Sequence, residues 1–186
     1  MLKEFNTYLN GINYEFWKEL CIKHGSVCCV GKGEDFITSG TIAKHIGLIT
    51  QGSMKYIVYT SDGKEKVIGL ETIGGFAASF PFCLHNHPSV VSVVANSDSQ
   101  LYSISVATIT ELARTYPGIR SMLEKTLEIV FYDIYNRYVS LYALSPRERY
   151  ERLLERCPQL FDIFPQKDIA SYLNITPQHL RRFKSK

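Results

Sequence analysis

An α+β fold is predicted, ordered as a β-roll of the jelly-roll (double-stranded β-helix) type, a long helix and a C-terminal helix-turn-helix. Three observations predict it. Short β-branched runs fill residues 25–106, split by Ser39-Gly40, Gln51-Gly52 and Asp62-Gly63. A heptad-like apolar recurrence follows, and the chain closes on two short helical patterns around a turn.

Residues 13–24, NYEFWKELCIKH, place Tyr14, Phe16, Trp17, Leu20 and Cys21 on one face of a helix. The runs FITSG, IGLITQG, MKYIVYTSDG and KVIGLETIGG are rich in Ile, Val, Tyr and Thr, which suit a pleated surface. Asp62-Gly63 between two such runs signals a hairpin, because its turn needs residues that tolerate positive φ. SVVSVVANS and QLYSISV continue the pattern, and strands this short and frequent form a sandwich, barrel or jelly roll. ATITELARTYP reads as a short helix ended by Pro117-Gly118.

The segment IRSMLEKTLEIVFYDIYNRYVSLYAL carries Leu127, Ile134 and Leu141 seven apart, interleaved with Leu123, Val130 and Leu144. Arg137 interrupts the second series, and Phe131, Tyr132, Tyr135, Tyr138 and Tyr142 crowd around the stripe. One small domain has too little surface to cover so much of one helix. A homodimer is expected, joined through Leu123, Leu127, Val130, Ile134 and Leu141. SPRE at 145–148 is a helix start: Ser145 caps, Pro146 suits the first position and Glu148 reaches back in a capping box. The break at Leu144–Ser145 is the expected hinge. It divides a roll with its N-terminal helix (1–116) and a dimerisation helix (117–144) from a terminal domain (145–186).

Composition bounds the function. Apolar residues make up 45% of the chain, enough for a buried core. No run in the opening MLKEFNTYLNGINYEFWKEL is long enough for a signal peptide or a transmembrane helix, so a cytoplasmic protein without membrane contact is expected. Five cysteines without CxxC spacing point to reduced thiols and against a cysteine-held metal. No nucleophile–base arrangement, phosphate-cradling loop, metal site or cofactor motif is legible, so the chain is not expected to be an enzyme. Charge is asymmetric: residues 1–144 hold 12 Lys/Arg and 13 Asp/Glu, whereas 145–186 hold 9 and 5. The excess cations of the terminal part fit a polyanion.

In DIASYLNITPQHLRRF, Ala170 is small enough for a second helix to approach, and Asn174 tolerates a turn at positive φ. Ile169, Leu173, Ile175, Leu180 and Phe183 supply apolar contacts, and Thr176-Pro177 opens the second helix. Its other face carries Gln178, His179, Arg181, Arg182 and Lys184. Gln suits adenine and Arg guanine in a major groove, while further cations suit phosphates. Contacts to double-stranded DNA are expected from Lys167, Thr176, Gln178, His179, Arg181, Arg182 and Lys184. One such unit offers few contacts, so two related by a dyad would read a palindromic operator.

A β-roll, long helix, hinge and terminal helix-turn-helix in that order resemble the Crp/Fnr family of bacterial transcription regulators. GEDFITSGTIAKHIGLITQGSMKYIVYTSDGKEKVIGLETIGGF looks like the family's cyclic-nucleotide-binding-type roll, and KDIASYLNITPQHLRRF is similar to its terminal motif. The resemblance implies an effector in the roll, contact with RNA polymerase and repositioning of the two DNA-reading units. Members that bind cyclic AMP carry a glutamate and an arginine after the GGF-type turn. Here those places hold Ala78 and Ser79, then Ser89 and Val90. Without that arginine a buried cyclic phosphate lacks a counter-charge, so tight binding of cyclic AMP is not expected. Phe76, Ser79, Phe80, Ser89, Ile134 and Tyr135 are the expected lining for an unidentified small-molecule effector.

Two other readings compete. His85-x-His87 in a jelly roll suggests a cupin-like metal site, although Asn86 and Pro88 suggest a loop and no acid lies between His87 and Asp98. A dimeric ligand-binding module without DNA contacts is the other, given a recognition helix of about two and a half turns.

Overall fold

The computed structural model describes residues 11–184, so the first half of the opening stretch read for a signal peptide lies outside it. Helix α1 (Tyr14–His24) is capped by Asn13, whose Oδ1 accepts from the Phe16 amide at 3.1 Å. Its Trp17, Leu20 and Cys21 bury against the strands. These strands are β1 (Ser26–Val30), β2 (Asp35–Ile37), β3 (His45–Gln51), β4 (Met54–Tyr59), β5 (Glu65–Glu71), β6 (Phe76–Ala77), β7 (Ser92–Ala95) and β8 (Ser99–Ser105). Two four-stranded antiparallel sheets result, ordered β1-β8-β3-β6 and β2-β7-β4-β5. The expected hairpin at Asp62-Gly63 joins β4 to β5, with Gly63 at φ 77°.

Side chains from both sheets meet in one apolar core, with Leu48, Ile49, Met54, Val93 and Leu101 fully buried. Helix α2 (Val106–Thr115) closes it with Ile109, and Ser105 caps α2 by accepting from the Thr108 amide. Pro117-Gly118 does more than end that helix. Pro117 opens α3 (Pro117–Ala143), because the first helical position needs no N–H. The Trp17 indole donates to Thr126 Oγ1 at 2.9 Å and pins α3 to α1 across the core.

The expected dimer stripe on α3 divides in the folded chain. Leu123 and Val130 pack against the roll's own core, and Leu141 lines a cavity beside Leu144. A helix wedged between a roll and a terminal unit spends those positions internally. The exposed apolar face is Phe131, Ile134, Tyr135, Tyr138 and Tyr142, with Leu127 half-buried.

Beyond Leu144 come α4 (Pro146–Arg156), α5 (Leu160–Ile163), α6 (Gln166–Tyr172) and α7 (Pro177–Lys184). The capping box forms as read: Glu148 Oε2 accepts from the Ser145 amide at 2.8 Å and Ser145 Oγ from the Glu148 amide at 3.3 Å. These helices have no core to themselves. Leu153, Leu160, Ile169 and Leu180 share one cluster with Ile57, Val67, Leu70 and Val94 of the β2-β7-β4-β5 sheet. The cluster therefore spans the boundary expected at Leu144–Ser145.

A bulge prepares that contact. Tyr56 pairs with Gly69 and Ile57 with Val67, so Ile68 is an extra residue on β5 without a partner across the ladder. No helix among the described residues is long and apolar enough to cross a membrane.

Candidate nucleic-acid interface and effector cavity

Helices α6 and α7 meet through Ile169, Ala170 and Leu180, all fully buried. Asn174 turns the chain at φ 54°, and the Ile175 amide donates to the Ala170 carbonyl at 2.9 Å. Thr176 Oγ1 accepts from the His179 amide at 3.3 Å, which fixes the start of α7. With Leu180 inward and Phe183 half-buried, Gln178, His179, Arg181 and Arg182 face solvent on the opposite side. Lys167 and Thr176 are exposed as well. Lys184 ends α7, and its side chain lies outside the described ones. Arg147 at the start of α4 shares a shallow cleft with His179, Arg181 and Arg182. Sequence reading missed Arg147, because nothing in SPRE shows that α4 begins beside α7.

A second site lies where the roll, α3 and α6 meet. Phe76, Ser79, Phe80 and Ile134 line a cavity of about 250 Å³, four of the six residues expected there. Ser89 and Tyr135 are corrections. Ser89 sits behind the wall, its Oγ accepting from Ser79 Oγ at 2.7 Å and donating to the Val91 carbonyl at 2.6 Å. Tyr135 turns to the exposed face of α3 and stacks on Phe131 with ring centroids 6.0 Å apart. Tyr56 completes the wall: its hydroxyl donates to the Phe76 carbonyl at 2.8 Å and accepts from the Ala78 amide at 3.0 Å. Burial pushes that hydroxyl far above its ordinary pKa, so it stays a neutral donor.

The cavity's charged groups are Glu71, Asp133 and Arg137. Arg137 reaches in from α3 and was legible only as the break in an apolar stripe. Its guanidinium donates to the carbonyls of Ile68, the bulged residue, and of Tyr172, the latter at 2.7 Å. It also lies 3.8 Å from the centre of the Tyr172 ring. The one cation is thus bound to two carbonyls, and two carboxylates outnumber it. That lining opposes a cyclic phosphate, in line with the missing arginine near Ser89.

Tyr172 belongs to α6, so the terminal unit itself forms one wall of the cavity. Further bonds hold that unit to the sheet. The Val67 amide donates to Ser171 Oγ at 2.9 Å, and Asn96 Nδ2 to the Ile163 carbonyl at 2.9 Å. Lys55 Nζ lies 2.6 Å from Glu65 and 3.5 Å from Asp168. Burial pulls the Lys55 pKa down, but the two carboxylates outweigh it and hold the ammonium above its ordinary value. His85 and His87 are exposed with rings 6.3 Å apart, and among the described residues no three His, Cys, Asp or Glu side chains are grouped to hold a metal.

Residues 28–116 match the family model of the cyclic nucleotide-binding domain. FixK2 from Bradyrhizobium japonicum shares the fold at a TM-score of 0.72 and 16% identity, over 87% of this chain and 83% of its own. The c-di-GMP-responsive global regulator CLP of Xanthomonas campestris aligns at 0.70 and 17%, over 92% and 90%. The catabolite activator protein of Thermus thermophilus aligns at 0.56 and 15%, over 96% and 85%. No curated protein matches the chain in sequence.

Proposed function

We propose, from a cyclic nucleotide-binding domain set in the fold of Crp/Fnr-type regulators, that this chain is a homodimeric, sequence-specific DNA-binding transcription regulator of the bacterial cytoplasm and not an enzyme. The observation that carries the reading is α7: Leu180 is fully buried beneath it while Gln178, Arg181 and Arg182 stand in solvent. That geometry suits a helix laid in a major groove, with Gln178 and Arg182 at base edges. Lys167, Thr176, His179, Arg181 and Lys184 would flank them on phosphates. Arg147 joins them from α4.

Two copies would pair through the bare aromatic face of α3, with Ile134 common to this face and the stripe read from sequence. The pairing would place two helix-turn-helix units on a palindromic operator, where RNA polymerase could be contacted. The roll cavity would take a small, largely apolar effector rather than cyclic AMP, and Phe76, Ser79, Phe80 and Ile134 would touch it. Because Tyr172 walls the same cavity, a ligand there would act on the terminal unit directly and shift its position relative to the roll.

Selection of genomic fragments by the purified protein tests the reading, followed by mobility shift across salt concentrations. A regulator of this kind selects a palindromic motif and binds it less tightly as salt rises, through counterion release. Arg182→Ala is expected to relax one base position at about 1–3 kcal/mol. Fragment recovery without any enriched motif would count against DNA reading and favour a ligand-binding module.

A further inference from the structure

A second cavity, of about 470 Å³, opens between α3, α4 and α6 beside Leu144, and it shares Asp133, Arg137 and Tyr172 with the roll cavity. Its ionic lining is one-sided. Arg137, Arg149, Arg152 and Arg156 bring four guanidinium groups against the single carboxylate of Asp133. Charges of one sign gathered around partly buried space repel one another and lose hydration. The effect is visible at Arg149, whose pKa burial draws below the ordinary arginine value.

For Arg137 and Arg149 the compensation inside the chain is dipolar. Arg149 donates to the carbonyls of Leu144 at 2.6 Å, Leu173 at 3.1 Å and Leu141 at 3.4 Å. Arg137 is bound to two carbonyls as described above, and Arg156 meets Asp133 at 3.3 Å. Carbonyls orient the N–H groups and leave the positive charge in place. Arg152 makes no hydrogen bond among the described residues, and its charge acts on Glu148, one turn earlier on α4, whose carboxyl it helps the Ser145 bonds hold below the ordinary value. The forks of Arg137, Arg149 and Arg156 are thus set in position, and among its lining residues the cavity keeps a surplus of positive charge.

We propose that this hinge cavity is a binding site for a small multivalent oxyanion, a phosphorylated or polycarboxylate molecule, distinct from the effector of the roll. Guanidinium forks match paired oxygens of phosphate and carboxylate, and several together require a ligand with more than one negative charge. The roll cavity, with two carboxylates to one guanidinium, selects against such a ligand. The cations of α7 line a different cleft, together with Arg147 of α4. An oxyanion here would bridge Arg137 on the long helix to Arg152 and Arg156 on α4. It would thereby fix the angle at Leu144–Ser145.

Thermal unfolding of the full chain, titrated with pyrophosphate or with citrate at constant ionic strength, tests the assignment. A ligand bound only by the native state raises Tm in a saturable way. The expected result is such a rise with at least one anion; the stronger of the two names phosphate or carboxylate as the natural chemistry. Arg152→Gln changes an exposed side chain that makes no hydrogen bond in the fold, and is expected to weaken apparent affinity about tenfold. Arg152→Gln with Arg156→Gln is expected to abolish the rise, while Arg181→Gln with Arg182→Gln keeps it. The proposal is overturned if neither anion gives a saturable rise, if Arg152→Gln leaves it undiminished, or if it disappears in the α7 double variant. Motif selection on DNA is scored separately, so loss of the regulator reading would leave this result intact.

Discussion

Burial pushes the thiols of Cys21 and Cys83 from 9.0 up to about 11, while Cys29 on β1 faces solvent. At pH 8 a thiol of that pKa is about one part in a thousand thiolate, so its nucleophilicity is suppressed as well as its access. Iodoacetamide at pH 8, followed by peptide mass analysis, is expected to label Cys29 first and to reach Cys21 and Cys83 only in denaturant. The same shift sets a pH dependence. Between pH 9 and 11 the folded chain keeps protons that the unfolded chain releases, so stability is full below pH 9 and falls as pH rises toward 11. Denaturation midpoints across that range measure it; a midpoint that rose would contradict the burial of these thiols. Residues whose role is local were legible in the sequence: Thr176 as a cap, Asn174 in the turn, Gln178 and Arg182 on the outer face. Arg137, Ser89 and Tyr135 were not. Their roles depend on which side of α3 meets the roll, and no short-range pattern encodes that.

Among the elements, helix ends were the most readable, since a capping box is written in four consecutive residues. Ser145→Ala removes one of its two bonds and is expected to cost about 1 kcal/mol in chemical denaturation. Strands were readable where they are β-branched and bounded by turns. β1, with adjacent cysteines in SVCCV, and β6, two residues defined by pairing with Gly47 and Leu48, gave no such signal. The long helix was recognised as a helix, but its apolar residues serve three surfaces and a heptad count assigns them to one. The structure leaves Tyr138 56% exposed and Tyr142 77% exposed, with rings 5.1 Å apart. Tyr138→Glu would bury a charge at any pairing of this face, and is expected to raise the dimer dissociation constant about a hundredfold. Light scattering over a dilution series checks it. A dimer undisturbed by the change would place the contact elsewhere.

For the molecule as a whole, the order of roll, long helix and terminal unit was legible. The contact between first and last was not. Ile57, Val67, Leu70 and Val94 look like ordinary strand residues, and only the folded chain shows that they carry the weight of α4 to α7. Arg137 closes this contact from α3. Arg137→Gln is expected to speed amide exchange in β5 and α6 about a hundredfold while leaving α1 unchanged, because it removes two charged hydrogen bonds that contribute about 1.5–3 kcal/mol each. Equal exchange in both proteins would show that the apolar cluster and the remaining bonds hold the unit without Arg137.

Ile68 is supernumerary in the β4–β5 ladder. Removing that single amino acid would restore regular alternation along β5 and leave Val67 and Leu70 pointing as before, so the greasy half of the attachment survives. One of the two oxygens that Arg137 grasps would vanish with it. Relatives one residue shorter in this strand would thus possess a looser grip on their C-terminal helices without any change in the amino acids that make the apolar seam.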